Sequence, residues 1–446
     1  NLLIGANFLS NIDLKVLNLE NNQLVDLTLN NNTELNQLYL SDNQLSSLEL
    51  VENLALNVLS LDNNQLVNID LSENVFLDEV YLNNNQLTNL NVSANRELTK
   101  LSLSNNELSH LDISLNNKLN ILGLNNNRLN NLDLGSNTEL VELNLTDNLL
   151  SQLDVSTNTS LTVLLLHNND LADLNINGLM ELNILNIINN NLTGIDVSTN
   201  TKLTLLLLGD NQISNIDVAN NSELVELNLQ NNHLNAIDIR NSRALVKLNL
   251  SDNQITNVDL SENSVLNELY LSDNLLTSID LSSQTLLEQL TLADNLLTSL
   301  VTENNTKLNK VDISENQLTN INLVNNTAIT ELDLSYNQFS NLDLMANKAL
   351  VELSLYSNLL LALDLSQNVE LVNLDLGYNL LTTIDVNSNA GLVKLLINAN
   401  QLINTPVGLS KINDSFAEIN LTDNLFDEEA KAELEALKQT YINLIY

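Results

Sequence analysis

LVELNLQNNHLNAIDIRNSRA, residues 224–244, decides how the chain is read. It is one copy of L-x-x-L-x-L-x-x-N-x-L-x-x-L-D-L-S-x-N-x-x, a 21-residue unit. The unit starts at Leu14 and recurs without slippage at Leu35, Leu56, Leu77, Leu98 and onward to Leu371, with Ile329 the one start that is not Leu. Eighteen full copies in register describe one supersecondary unit stacked many times, not a string of globular domains.

Positions 1, 4, 6, 11, 14 and 16 of the unit supply 108 sites, and 107 of them are apolar; Thr302 is the exception. L-x-L at positions 4 to 6 and again at 14 to 16 has the alternation of a half-buried strand. The expected fold is an all-β-rich solenoid with two short parallel strands per coil. Successive coils would lie ~4.8 Å apart, with little or no convex helix, because no copy contains a helix-length amphipathic run. Position 9 is Asn in all eighteen copies, from Asn22 to Asn379, and position 19 is Asn in fifteen, with Leu179, Ser242 and Gln284 as exceptions. Both follow an apolar stretch, where the chain must turn. An amide that donates and accepts can satisfy turn backbone in its own coil and a neighbouring one. These asparagines read as corner-posts of the coil.

The first half of the unit, L-x-x-L-x-L-x-x-N-x-L, resembles the hallmark of leucine-rich repeat proteins. With its echo L-x-x-L-D-L-x-x-N it is similar to the short 21-residue bacterial class called IRREKO. The resemblance runs from Leu14 to about Phe426. It implies a bacterial protein, secreted or surface-attached, that binds proteins or glycans on the first-strand face.

Four segments are expected. Residues 1–13 are a partial repeat in which Asn1, Leu3, Phe8 and Asn11 fall at positions 9, 11, 16 and 19. The chain thus opens inside a repeat, and upstream residues, with any targeting signal, are expected to precede it. Residues 14–391 are the eighteen copies. Residues 392–426 are irregular: a 24-residue copy with the one proline, Pro406, and then a half-copy. Residues 427–446 are a capping helix and tail, with acids first and Ala430, Leu434, Leu437 and Tyr441 at helical spacing.

Composition excludes several functions. A net charge of −40 argues against nucleic acid and anionic lipid, which need cationic surface. Zero cysteines exclude disulfides and thiolate metal sites. No run approaches the ~20 apolar residues of a membrane span. Catalysis is not expected: His110, His167 and His233 fall at positions 13, 7 and 10 of different coils, and no nucleotide, metalloprotease or hydrolase motif occurs.

The copies differ most at outward positions 3, 5, 7 and 8. At position 3, Glu226, Lys247 and Glu268 alternate in sign as cross-strand pairs. Elsewhere Val163 and Leu165, Ile184 and Ile188, and Leu205 and Leu207 point outward from three adjoining coils, an aliphatic patch of the sort soluble monomers avoid. It is the first candidate for a protein partner. Tyr336, Tyr356 and Tyr378, at positions 8, 7 and 8 of successive coils, form a second, suited to protein or sugar. Tyr39 and Tyr81 are a weaker pair. The second-strand face repeats Asp at position 15, including Asp196, Asp217, Asp238, Asp259 and Asp280. Stacked like charges need an offset: solvent screening, bonds from flanking hydroxyls, or a weak multi-site calcium ladder of oxygen ligands. Taken together, the residues point to a non-enzymatic recognition scaffold outside the cell or on its surface. The alternatives are a structural stalk, adhesin or filament subunit that self-associates, and a polysaccharide-binding module.

Overall fold

The computed structural model describes residues 2–414 and 416–446; Asn1, which opens the partial repeat, and Ser415 lie outside the described residues. Contacts divide the chain into two compact units, Asn1–Leu224 and Val225–Tyr446. The first carries ten three-residue strands, from β1 (Val16–Asn18) to β8 (Val163–Leu165), β9 (Ile184–Asn186) and β10 (Leu205–Leu207). The second carries eleven. They begin with β11 (Glu226–Asn228), β12 (Lys247–Asn249), β13 (Glu268–Tyr270) and β14 (Gln289–Thr291). β15 (Lys310–Asp312), β16 (Glu331–Asp333), β17 (Glu352–Ser354), β18 (Asn373–Asp375), β19 (Lys394–Leu396), β20 (Glu418–Asn420) and β21 (Asn443–Ile445) follow.

Each repeat strand occupies positions 3 to 5 of its copy, and within each unit neighbours up to β19 pair in parallel with a shift of one period, as Val16 with Gln37 and Lys310 with Glu331. Position 4 faces inward, so Leu101, Leu122 and Leu164 are buried; positions 3 and 5 face out. Leucines at positions 1, 6 and 11 complete each layer, as Leu98, Leu103 and Leu108 do at 0% exposure. Each such side chain contributes roughly 2 kcal/mol of burial.

The second expected strand does not form. Among the described residues the only backbone pairing on that side is the bridge between Asp385 and Val407, in the irregular coil. The reason is competition from side chains. Asp at position 15 takes the position-17 amide for itself, as Asp112 Oδ1 does from Ser114 N at 3.0 Å. The position-19 amide closes a turn onto the position-16 carbonyl, as Asn116 N does onto Ile113 O. The remaining acceptor capacity there goes to the next coil's asparagine: Asn116 Nδ2 donates to Val92 O and Asn95 O at 3.0 and 2.8 Å. Coils are joined backbone to backbone on one side and side chain to backbone on the other.

The two asparagine ladders therefore work differently. At position 9 both ends of the amide are used: Asn106 Nδ2 donates to Leu82 O, Leu103 O and Ser104 O, and its Oδ1 accepts from Leu87 N at 3.0 Å. At position 19 only the nitrogen is used, and Oδ1 of Asn53, Asn74, Asn95 and Asn116 is buried without a donor. Thr302 explains itself here. Its Oγ1 donates at 3.0 Å to Oδ1 of Asn326, the position-19 amide of the next coil.

At the C-terminal end, α1 (Glu428–Leu437) is capped by Asp427, whose carboxylate accepts from Ala430 N at 2.8 Å. Ala430 and Leu434 are buried, as expected of a cap. The helix stops before Tyr441, contrary to the spacing argument. Tyr441 is buried from outside the helix, and its hydroxyl donates to Leu409 O and Ile412 O at 3.1 and 2.9 Å. The tail is not loose: β21 pairs with β20. No helix among the described residues is long and apolar enough to cross a membrane.

Candidate functional site: the outward strand face

Stacking by one period turns repeat positions into rows. In the first unit the register sets Val163 beside Ile184 and Ile184 beside Leu205; Leu165, Asn186 and Leu207 form the adjacent row. Ile188 lies just beyond β9. The structure brings the six aliphatics together, with one correction: each is half-buried, not fully exposed. Rows at strand spacing shield one another along the coil axis, so only the tips face out. In the second unit, Lys247 lies 3.4 Å from Glu226 and 3.6 Å from Glu268, the alternating pairs expected of an ordinary solvated row.

The three tyrosines also form one feature. Ring centroids are 5.2 Å apart for Tyr336 and Tyr356 and 5.1 Å for Tyr356 and Tyr378, tilted in both cases. Tyr336 and Tyr378 are about half exposed. Position 8 carries a constraint that the sequence reading missed: its backbone is left-handed in every coil, with φ between 49 and 59°. Asn and Asp tolerate this and other side chains do not, at roughly 1–2 kcal/mol each. Position 8 is Asn or Asp from Asn21 to Asp294, after which five successive coils carry Glu315, Tyr336, Ser357, Tyr378 and Ala399. The Asn/Asp run at position 8 was the signal available in the sequence. Its lapse over five coils is backbone strain gathered beside the tyrosines.

A groove of about 480 Å³ runs along these five coils and the one before them, β14 to β19. Its lining includes Asp312, Asp333, Ser354 and Asp375 at position 5 and Lys310, Glu331, Glu352, Asn373 and Lys394 at position 3. Lys310 is bound to Glu331 at 2.7 Å. Burial pushes the carboxyls of Asp333 and Asp375 above the usual aspartate range, although each accepts a backbone amide, from Ser335 and Gly377. In the first unit, Tyr39 and Tyr81 spend their hydroxyls on Gln37 and Glu79.

The aspartates of position 15 are turned onto their own chain. Asp196 accepts from Ser198 N, and in the second unit Asp259 and Asp280 accept from Ser261 N and Ser282 N. Asp217 accepts from Ala219 N, and Asp238 holds Arg240. The side chains of Ser198, Ser261 and Ser282, together with their backbone amides, hold the carboxyls of Asp196, Asp259 and Asp280 below the usual range, and the Arg240 guanidinium holds Asp238 down at about 2. Among the described residues no three acidic or imidazole side chains gather as a metal site. The three histidines stay in separate coils; His167 lies within 3.0 Å of Thr146 Oγ1 and 3.2 Å of Asn186 Nδ2.

Solved structures similar to this chain share its architecture. YopM from Yersinia enterocolitica aligns at TM-score 0.75 and 24% identity, over 94% of this chain and 89% of its own. This is the leucine-rich repeat fold. The functional domain of InlJ from Listeria monocytogenes, described as including a cysteine ladder, aligns at TM-score 0.59 and 24% identity, over 90% of this chain and 80% of its own. The plant peptide hormone receptor RGFR1, solved in complex with RGF2, aligns at TM-score 0.77 and 21% identity, covering 93% and 79%. No family model matches the sequence, and no curated protein matches it. This leucine-rich repeat chain has no cysteine, and asparagine ladders hold its coils together.

Proposed function

We propose that this is a non-enzymatic bacterial recognition scaffold, working at the cell surface or outside the cell, which holds a protein partner against the outward strand face. The observation that carries this reading is the in-register aliphatic row Val163, Ile184 and Leu205, flanked by Leu165 and Leu207. Half-buried aliphatics gain most when a second surface completes their burial, at about 25 cal/mol per Å². The likeness of the fold to a plant peptide hormone receptor solved in complex with RGF2 supports a protein or peptide partner.

The test places a photo-crosslinking residue at Ile188 and identifies what it captures, with and without Leu165→Glu and Leu207→Glu. A discrete protein captured by the parent and lost in the folded double variant supports recognition. Capture of a second copy, lost together with self-assembly, supports a stalk or filament instead. Capture unchanged in the double variant overturns the reading.

A further inference from the structure

We infer that Tyr336, Tyr356 and Tyr378 are a site of oxidative cross-linking, at which a one-electron oxidant couples two neighbouring rings into dityrosine and ties successive coils together covalently. The inference goes beyond the recognition reading and does not rest on it. Centroids 5.2 and 5.1 Å apart, at tilts of 58 and 53°, put neighbouring ring edges close to van der Waals contact, ~3.5–4 Å between carbons. Tyr356 is the middle ring and belongs to both pairs. Gly377 leaves room for it, since a methyl group there would meet Tyr356 Cδ2 at 3.0 Å. Tyr336 and Tyr378 reach the stack from left-handed backbone, at φ 52 and 55°, which tyrosine disfavours. Strain at both flanking positions is thus bound up with holding three phenols in one row.

The rest of the chain directs oxidation to this row. There is no cysteine or tryptophan to intercept a one-electron oxidant, so tyrosine yields the electron. Lys100 Nζ sits 4.9 Å over the ring of Tyr81, Lys247 6.0 Å over Tyr270 and Lys438 4.4 Å over Tyr446. A fixed ammonium opposes the positive charge that electron loss creates in the ring beneath it. Tyr39 has Ser60, not a tyrosine, beside it in the next coil, and Tyr441 is buried. Among the described residues no cation lies over the three rings of the row, and no other two aromatic rings are in contact. In the coupling, each ring gives up one electron and its hydroxyl proton. The two phenoxyl radicals share spin with the carbons ortho to oxygen, where a carbon–carbon bond forms. The two ortho hydrogens then pass to the oxygens and restore the phenols. With a haem peroxidase, two tyrosines and one hydrogen peroxide give one dityrosine and two waters.

The experiment treats the full chain, at high dilution, with a haem peroxidase and hydrogen peroxide, and reads dityrosine by fluorescence and by mass spectrometry of a digest. The expected product is a linked peptide pair, two hydrogens lighter than its parts, joining Tyr356 to Tyr336 or to Tyr378. Its yield per chain should not depend on protein concentration. The linked chain should melt at a higher temperature, because the bond closes a loop of about one period in the unfolded state. Tyr356→Phe should abolish the product, Tyr336→Phe should leave the bond to Tyr378, and Tyr81→Phe should change nothing. Circular dichroism confirms folding of each variant. Bonds between chains that vanish on dilution, links at Tyr39, Tyr81 or Tyr446 in place of these, an undiminished yield in Tyr356→Phe, or no dityrosine at all would each overturn the proposal.

Discussion

Replacing a corner asparagine by alanine should cost very different amounts at the two ladders, and in the order opposite to burial. Asn116, at position 19, is 0% exposed, and Asn106, at position 9, is 8% exposed. Asn106→Ala removes the one acceptor that Leu87 N–H has among the described residues. It also removes three donations to carbonyls, each of which keeps another donor: Leu82 O from Asn85, Leu103 O from Asn127 and Ser104 O from Asn84 N. An orphaned buried N–H costs about 1–3 kcal/mol and each lost bond about 0.5–1.5, so the loss should be about 3–4 kcal/mol. Asn116→Ala removes two donations to carbonyls that retain backbone donors from Asn95 and Leu98. It also deletes an oxygen that had no partner. Its cost should be about 1–2 kcal/mol. The repeats agree: position 19 accepts Leu179, Ser242 and Gln284, while position 9 never departs from Asn. Urea unfolding followed by circular dichroism measures both variants. Equal losses, or a larger one for Asn116→Ala, would refute the assignment of roles.

The orphan oxygen can be given a donor. Val92→Thr should place a hydroxyl below Asn116 Oδ1 as Thr302 does for Asn326, so the usual cost of burying a hydroxyl, about 1–3 kcal/mol, should nearly vanish in a thermal melt. Relief of left-handed strain makes Ala399→Asn stabilising by about 1 kcal/mol, read from the same denaturant series. For acid stability the signs oppose. Depressed carboxyls such as Asp196, Asp259 and Asp280 stabilise the fold above their ordinary pKa, and that contribution disappears as pH falls through their lowered folded values. Asp333 and Asp375, pushed up by burial, oppose folding at neutral pH and relax on protonation; Asp312, Lys394 and Glu418 also act on them. Asparagine at all three depressed sites should flatten the acid side of a pH-stability curve, and millimolar calcium after chelation should leave Tm unchanged.

The period, the inward leucines and the ladder positions were legible because one register error would turn every side chain around. The second strand was misread because alternation at positions 14 to 16 specifies burial and not backbone pairing. Pairing there is lost to Asp at position 15 and Asn at position 19, whose competing bonds depend on geometry that a pattern does not carry. The aliphatic row and the tyrosine row were legible as residues 21 apart, or nearly so. The close approach at Gly377 was not, because Tyr356, Asp375 and Asn398 crowd it from three coils. The left-handed turn at position 8 was written in its Asn and Asp, but an outward variable position invited no conformational reading.

Residue-resolved hydrogen exchange tests the central claim, that each coil has one paired side and one side held by side chains. Through each unit the amides at positions 6, 8 and 10 should be protected, as their inter-coil bonds require. Those at positions 12 to 15 should exchange much faster. Equal protection of both halves in every copy would mean a second strand ladder and would contradict the account.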